Sequence, residues 1–200
     1  MECKPIKKKK CKECKKEFTP FRPLQVACDY WCALAIGRKS AQKKQDAKFK
    51  IKKASFYLND TQHQKELTQK AFNKLRKLQE FKWFADRNLE PSCISCGKTK
   101  MDWCCGHFKT VKAQGILRFD SKNTYLQCNK YCNSSKSGNI EGCNKTRGYK
   151  VGLVERFGED EARAIRDYCE STTAPYKWTG PELSEMRKRF NAEIRELERD

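Results

Sequence analysis

The residues best suited to chemistry lie between Cys93 and Asn133, where the chain reads CISCGKTKMDWCCGHFKTVKAQGILRFDSKNTYLQCNKYCN. Two cysteine pairs, Cys93-x2-Cys96 and Cys128-x3-Cys132, bracket this stretch, and between them lies His107, one of 2 histidines in the protein. Thiolates at these spacings suit a tetrahedral Zn²⁺ held by two knuckles. With all four ligands filled, such an ion does no chemistry itself. It clamps two loops, and here it would bring His107 and Asn133 face to face. The three-residue gap in the second pair leaves Cys143 open as a replacement for Cys132, with Cys104 or Cys105 as competing ligands. Histidine takes up a proton near neutral pH without help, so His107 is a candidate general base; packing in the core is the alternative.

A second set, Cys11-x2-Cys14 and Cys28-x3-Cys32, has the ligand spacing of a zinc ribbon or treble clef, with Cys3 able to substitute for one of the four. Phe18, Phe21 and Tyr30 are expected to cover this small site, and Pro20 and Pro23 to stiffen its loop. The 13 cysteines are odd in number and come in short pairs, which argues against a disulfide scaffold. Met1 leads into a lysine run rather than an apolar leader, and no stretch has the length to span a bilayer. The expectation is a cytoplasmic protein that does not enter membranes.

The net charge of +19 over 200 residues is uneven. Residues 1–53 hold 17 Lys/Arg against 5 Asp/Glu and residues 91–150 hold 11 against 3, whereas residues 151–200 hold 9 against 12. The basic regions are thus the cysteine-rich ones. A positive surface of this size favours a polyanion, and nucleic acid is the usual one. Lys109, Lys112, Arg118 and Lys122, beside Phe108, are candidates for phosphate contacts, which position a protein on DNA without reading its sequence.

Cys-x2-Cys, Gly-His-Phe, Asn-x4-Cys and a final Cys-Asn resemble the NinG family of phage recombination proteins, a likeness that extends to the CKEC opening. Residues 93–133 are also similar to the HNH, or ββα-metal, nucleases, and the Cys-Asn step to phage Holliday-junction resolvases of the endonuclease-seven type. The resemblance implies a structure-specific endonuclease that cuts D-loops or four-way junctions by metal-assisted phosphodiester hydrolysis in the host cytoplasm. It implies His107 as the base, Asn123 as the residue pinning the His loop, and Asn133 as a ligand to Mg²⁺ or another divalent cation. Two structural zinc ions, recombination partner proteins and a homodimer also fit it. Many HNH nucleases carry an Asp before the base, where this chain has Gly106. Asp102 and Asp120 are the nearest carboxylates, and Glu141 is a weaker candidate.

These residues need elements to place them. Residues 1–10 read as a lysine arm, disordered until it meets phosphate. The N-terminal cysteine module and a basic helix occupy residues 1–55, and a helical connector residues 56–90. Asp60 can cap that helix, and Leu67, Ala71, Leu75, Leu78 and Phe81 or Phe84 mark its apolar face as far as about Asn88. In residues 91–150, MDWCCGHF is a strand ending at His107 and NTYLQC a second strand. A short helix near Cys132 is expected to show Asn133 on its first turn, with a loop turn at Ser137–Asn139. Residues 151–200 form C-terminal helices, the last capped at Thr179 or Gly180 with Pro181 behind it. The fold class is α+β: a small zinc-bound ββα-metal core with an N-terminal zinc module and flanking helices. The rival is a zinc-finger adaptor that binds DNA or RNA and a recombination partner without cutting.

Overall fold

The computed structural model describes residues 7–134, 139–143 and 145–199. Cys3, the first residues of the lysine arm and the expected turn at Ser137–Gly138 lie outside them. Contacts divide the chain into two units that meet between Tyr57 and Leu58.

In the first unit, β1 (Lys9–Lys10) pairs antiparallel with β2 (Glu17–Phe18), so the end of the lysine arm is a strand of the knuckle. Helix α1 (Tyr30–Asn59) follows and has no buried residue. Apart from Cys11, the only buried positions among the described residues of this unit are Pro20 and Ala27. Phe21 and Tyr30, expected over the cysteines, stand exposed.

The second unit carries the core. Asp60 caps helix α2 (Thr61–Ala85) by accepting a hydrogen bond from the His63 amide. The buried face of α2 is not the apolar stripe the spacing suggests. Gln64, Thr68, Phe72, Leu75, Arg76, Glu80 and Phe84 point inward, while Leu67, Ala71, Leu78 and Phe81 are half-buried. The polar members are satisfied by neighbours: Thr68 donates to the Leu183 carbonyl at 2.9 Å, and Arg187 to Gln64 at 2.6 Å. Both partners belong to α5 (Gly180–Leu197), which starts with a reciprocal capping box between Thr179 and Glu182. Phe72, Phe119 and Leu183 form the apolar contact of this pair, with Trp178, Met186 and Phe190 around it.

Strands β3 (Trp103–His107) and β4 (Thr124–Cys128) form an antiparallel hairpin in which Trp103 faces Cys128 and His107 faces Thr124. Helices α3 (Tyr149–Phe157) and α4 (Glu159–Ser171) cover it. Their shared core is Ile94, Phe108, Leu117, Tyr125, Tyr149, Leu153, Ala162, Ile165 and Cys169. Gly152 lets α3 lie on the first knuckle, because a Cβ there would run into the Ile94 carbonyl.

Among the described residues no α-helix starts near Cys132. Asn129–Asn133 is instead one wide π-helical turn, closed by the Ser134 amide and hydroxyl on the Asn129 carbonyl at 3.1 and 2.7 Å. That wide turn directs Cys132 back toward Cys128, and Asn133 ends the turn rather than beginning a helix. Among the described residues the next α-helix is α3. The two small sheets, helices and thiol clusters make the protein mixed α+β; among the described residues the β3–β4 hairpin is followed by the turn at Asn129–Asn133 and then by α3.

Candidate functional site

Register places the chemistry. His107 ends β3 opposite Thr124, and Cys128 lies at the other end of β4, four residues or roughly 13 Å along the strand. The thiol cluster and His107 therefore occupy opposite ends of one hairpin. Asn133, exposed beyond Cys128, belongs to the thiol end, so the expected face-to-face arrangement with His107 is not what the register produces.

The His107 end is tightly held. His107 Nε2 lies 3.0 Å from the Arg118 carbonyl, which can only accept, so Nε2 carries the proton and Nδ1 keeps its lone pair. Burial pulls the imidazole pKa below its ordinary value, and the Arg118 charge acts in the same direction against the carbonyl's opposing pull. Its pKa direction thus favours a neutral imidazole near pH 7. Asn123, fully buried, staples the loop that follows: its Nδ2 donates to the carbonyls of Lys109 (3.0 Å) and Leu117 (3.1 Å), and its Oδ1 accepts from the Lys109 amide at 2.7 Å. Its own carbonyl accepts from the Phe108 amide at 2.8 Å.

Among the described residues the two thiol sets are the only groups of three or more His, Cys, Asp or Glu close enough to share a metal, so no carboxylate set for Mg²⁺ is assembled beside His107. Gly106 has no room for a carboxylate, since the Gln127 side chain lies over it and donates to Ser95 Oγ at 2.6 Å. Asp120 accepts from the Lys122 amide and from Tyr168 at 2.6 Å, Asp102 accepts from Asn129 at the thiol end, and Glu141 pairs with Lys150.

Both thiol clusters fit zinc. Each set, Cys11, Cys14, Cys28 and Cys32, and Cys93, Cys96, Cys128 and Cys132, has its sulfurs within 4.8 Å of one another. Sγ separations of 3.5 Å (Cys14–Cys28), 3.6 Å (Cys28–Cys32) and 3.8 Å (Cys96–Cys128) approach the edge of about 3.8 Å of a tetrahedron with ~2.3 Å Zn–S bonds. Cys132, not Cys143, completes the second set; Cys143 bonds Thr146, and Cys104 and Cys105 turn to the carbonyls of Gln127 and Asn73. Each set holds one favoured thiolate. At Cys11 burial opposes ionisation, but the backbone amides of Cys14, Cys28 and Glu13 outweigh it and bring the thiol to about 6. Cys93 is lowered likewise, against burial, by the amides of Cys128, Cys96 and Ser95. Burial drives Cys96 up to about 11 and raises Cys132 further. Four thiols this close ionise together only around a cation.

Residues that spacing alone does not single out hold this arrangement. Arg76 donates to the Thr124 carbonyl at 2.7 Å, and Glu80 accepts from the Leu126 amide at 2.9 Å and from Arg156 at 2.6 Å. This buried Arg76–Glu80–Arg156 triad locks α2 and α3 to β4. Its one sequence signal is the strict four-residue spacing of Phe72, Arg76, Glu80 and Phe84. Arg147 donates to the carbonyls of Cys93 and Ile94 and pairs with Glu155, fixing the first knuckle. Tyr149 donates to the Gly106 carbonyl at 2.9 Å.

The proposed phosphate contacts divide. Lys112 is exposed, and Lys122 is exposed with its ammonium 4.9 Å from the Tyr168 ring. Lys109 pairs with Glu170 at 3.2 Å, and half-buried Arg118 donates to Gln69 at 3.1 Å. Arg118 serves His107 through its carbonyl.

Residues 3–200 match the family described as "Bacteriophage Lambda NinG protein". The chain is 28% identical over 212 residues to protein ninG of Escherichia phage lambda, covering 98% of this chain and 96% of that one. It is 28% identical over 207 residues to protein ninG of Escherichia phage 933W, with 95% and 94% covered. Protein ninG of Salmonella phage P22 is 34% identical over 113 residues, 56% of this chain and 50% of that one. The chain belongs to the NinG family. No solved structure matches it.

Proposed function

We propose that this NinG-family chain is a structure-specific DNA endonuclease acting on branched recombination intermediates of the phage, such as D-loops and four-way junctions, in the host cytoplasm. The observation that carries the proposal is the setting of His107: an imidazole with its Nε2 proton committed to the Arg118 carbonyl, its Nδ1 lone pair retained, and the following loop stapled by Asn123. Such a group is a general base held in one orientation. It would take a proton from water as the oxygen attacks phosphorus and the bond to the leaving sugar oxygen breaks. Lys112 and Lys122 would bear on the flanking phosphates. The two zinc ions would hold the knuckles and take no part in the reaction. A symmetric junction cut needs two active sites, which a homodimer would supply.

One observation favours the rival, a DNA-binding adaptor without activity: Gln127 fills the space over Gly106, where related nucleases carry a carboxylate. Incubating the full-length protein with labelled branched and linear duplexes, with and without Mg²⁺ or Mn²⁺, separates the two. Nicking of the branched substrate in preference to the linear one is expected. Binding without nicking under every metal condition would leave the adaptor in its place.

A further inference from the structure

We infer that the first unit carries a stacking platform for unpaired bases, made by the exposed rings of Phe21, Tyr30 and Trp31 in the module that holds the Cys11/Cys14/Cys28/Cys32 centre. This rests on the DNA-binding part of the proposal above and names the part of a branched molecule that the unit would recognise. The aromatic rings are not loosely placed. The Phe21 amide donates to Gln25 Oε1 at 2.7 Å, the Gln25 amide to the Arg22 carbonyl at 3.0 Å, and Gln25 Nε2 to the Ala27 carbonyl at 2.9 Å. That closed turn holds Phe21 outward at 93% exposure. Tyr30 and Trp31, at 69% and 74% exposure, open α1 and meet edge to face with ring centroids 5.4 Å apart. Cys32, the next residue, is a ligand of the thiol cluster, so zinc binding would fix both rings to a rigid base.

Large apolar side chains turned outward together mark an interaction surface. Charge identifies the occupant. The rings belong to a strongly basic stretch, residues 1–53 having 17 Lys/Arg against 5 Asp/Glu, with Lys12, Lys15, Lys16, Arg22 and Arg38 among the described ones. An apolar protein partner would leave these cations unused. A single strand uses both features, since its phosphates meet the lysines and its bases stack on the rings whatever their sequence. Duplex DNA has no free base faces to offer. Branch points and D-loops do.

The test is equilibrium binding of the full-length protein to oligo(dT), to linear duplex and to branched DNA, with Phe21→Ala/Trp31→Ala beside the parent. The double variant should lose roughly 10- to 100-fold in oligo(dT) affinity, as expected for removed base stacks, with duplex affinity and zinc content unchanged. Trp31→Phe should keep the affinity and Trp31→Leu should lose it, because a flat ring is required rather than an apolar group. Equal affinity of Trp31→Leu and the parent for oligo(dT) would overturn the platform. So would a parent that binds duplex but not oligo(dT), or variants that alter only self-association or the capture of another protein. A parent that binds no DNA at all would remove the DNA reading itself along with the platform.

Discussion

The two four-cysteine centres share their inner spacings yet sit in opposite surroundings. Thirteen residues separate the pairs of the first, and among the described residues of its unit only Pro20 and Ala27 are buried besides Cys11. Thirty-one separate the pairs of the second; that insertion supplies β3, His107 and most of β4, and an apolar core grows beside the cluster. In the first unit the metal would stand in for a core. In the second it would add to one. The same ligand set therefore carries unequal shares of the stability.

Metal removal should show the largest contrast. Structural zinc contributes on the order of 10 kcal/mol to small domains that fold around it. The protein should bind two zinc ions, and chelation should leave residues 7–33 open to protease while the α2–α5 core keeps its helical signal with a lowered Tm. The Cys14→Ser variant should reproduce the first effect alone. Opening of the core with a protected N-terminal unit would reverse the comparison.

Ion pairs should divide the units next. Glu80 is buried between Arg76 and Arg156. Glu80→Ala leaves two buried guanidinium groups without their carboxylate and should cost about 3–5 kcal/mol by denaturant unfolding. Glu13, paired with exposed Lys39 in the first unit, should cost under about 1 kcal/mol when replaced by Ala. Equal losses would mean that the triad is not a structural lock.

Proton uptake should give the smallest effect. The pKa of His107 is depressed by burial, so the unfolded chain binds its proton first as the pH falls. Its contribution to stability is present above the unfolded value of about 6.5 and is lost below it. Any nicking activity should likewise hold its plateau down to a pH below about 6.5, and a fall in rate above that value would argue against a buried neutral base.

What could be read from the sequence follows from how local each signal is. Both thiol sets, the Asp60 cap and the cap at Thr179 are legible because their residues lie a fixed few positions apart and act through neighbouring backbone. The inward face of α2 is not, because its buried stripe is polar. Arg76 and Glu80 are tolerable there only because Thr124, Leu126 and Arg156, distant in sequence, satisfy them. The turn after β4 is illegible for a related reason: Cys132 must come back to Cys128, and that demand overrides the helical reading. His107 is visible as a residue type. Its partner, the Arg118 carbonyl, has no side-chain signature, and Arg118 itself suggests a phosphate contact.

The most direct test of the central claim is His107→Ala, measured for both binding and cleavage of a branched duplex. A general base acts in the transition state and contributes little to holding DNA. Affinity, circular dichroism and zinc content should match the parent, because His107 lies outside both thiol sets. The cleavage rate should fall by on the order of a hundredfold or more. Cleavage at the parent rate would contradict the assignment of His107 as the base.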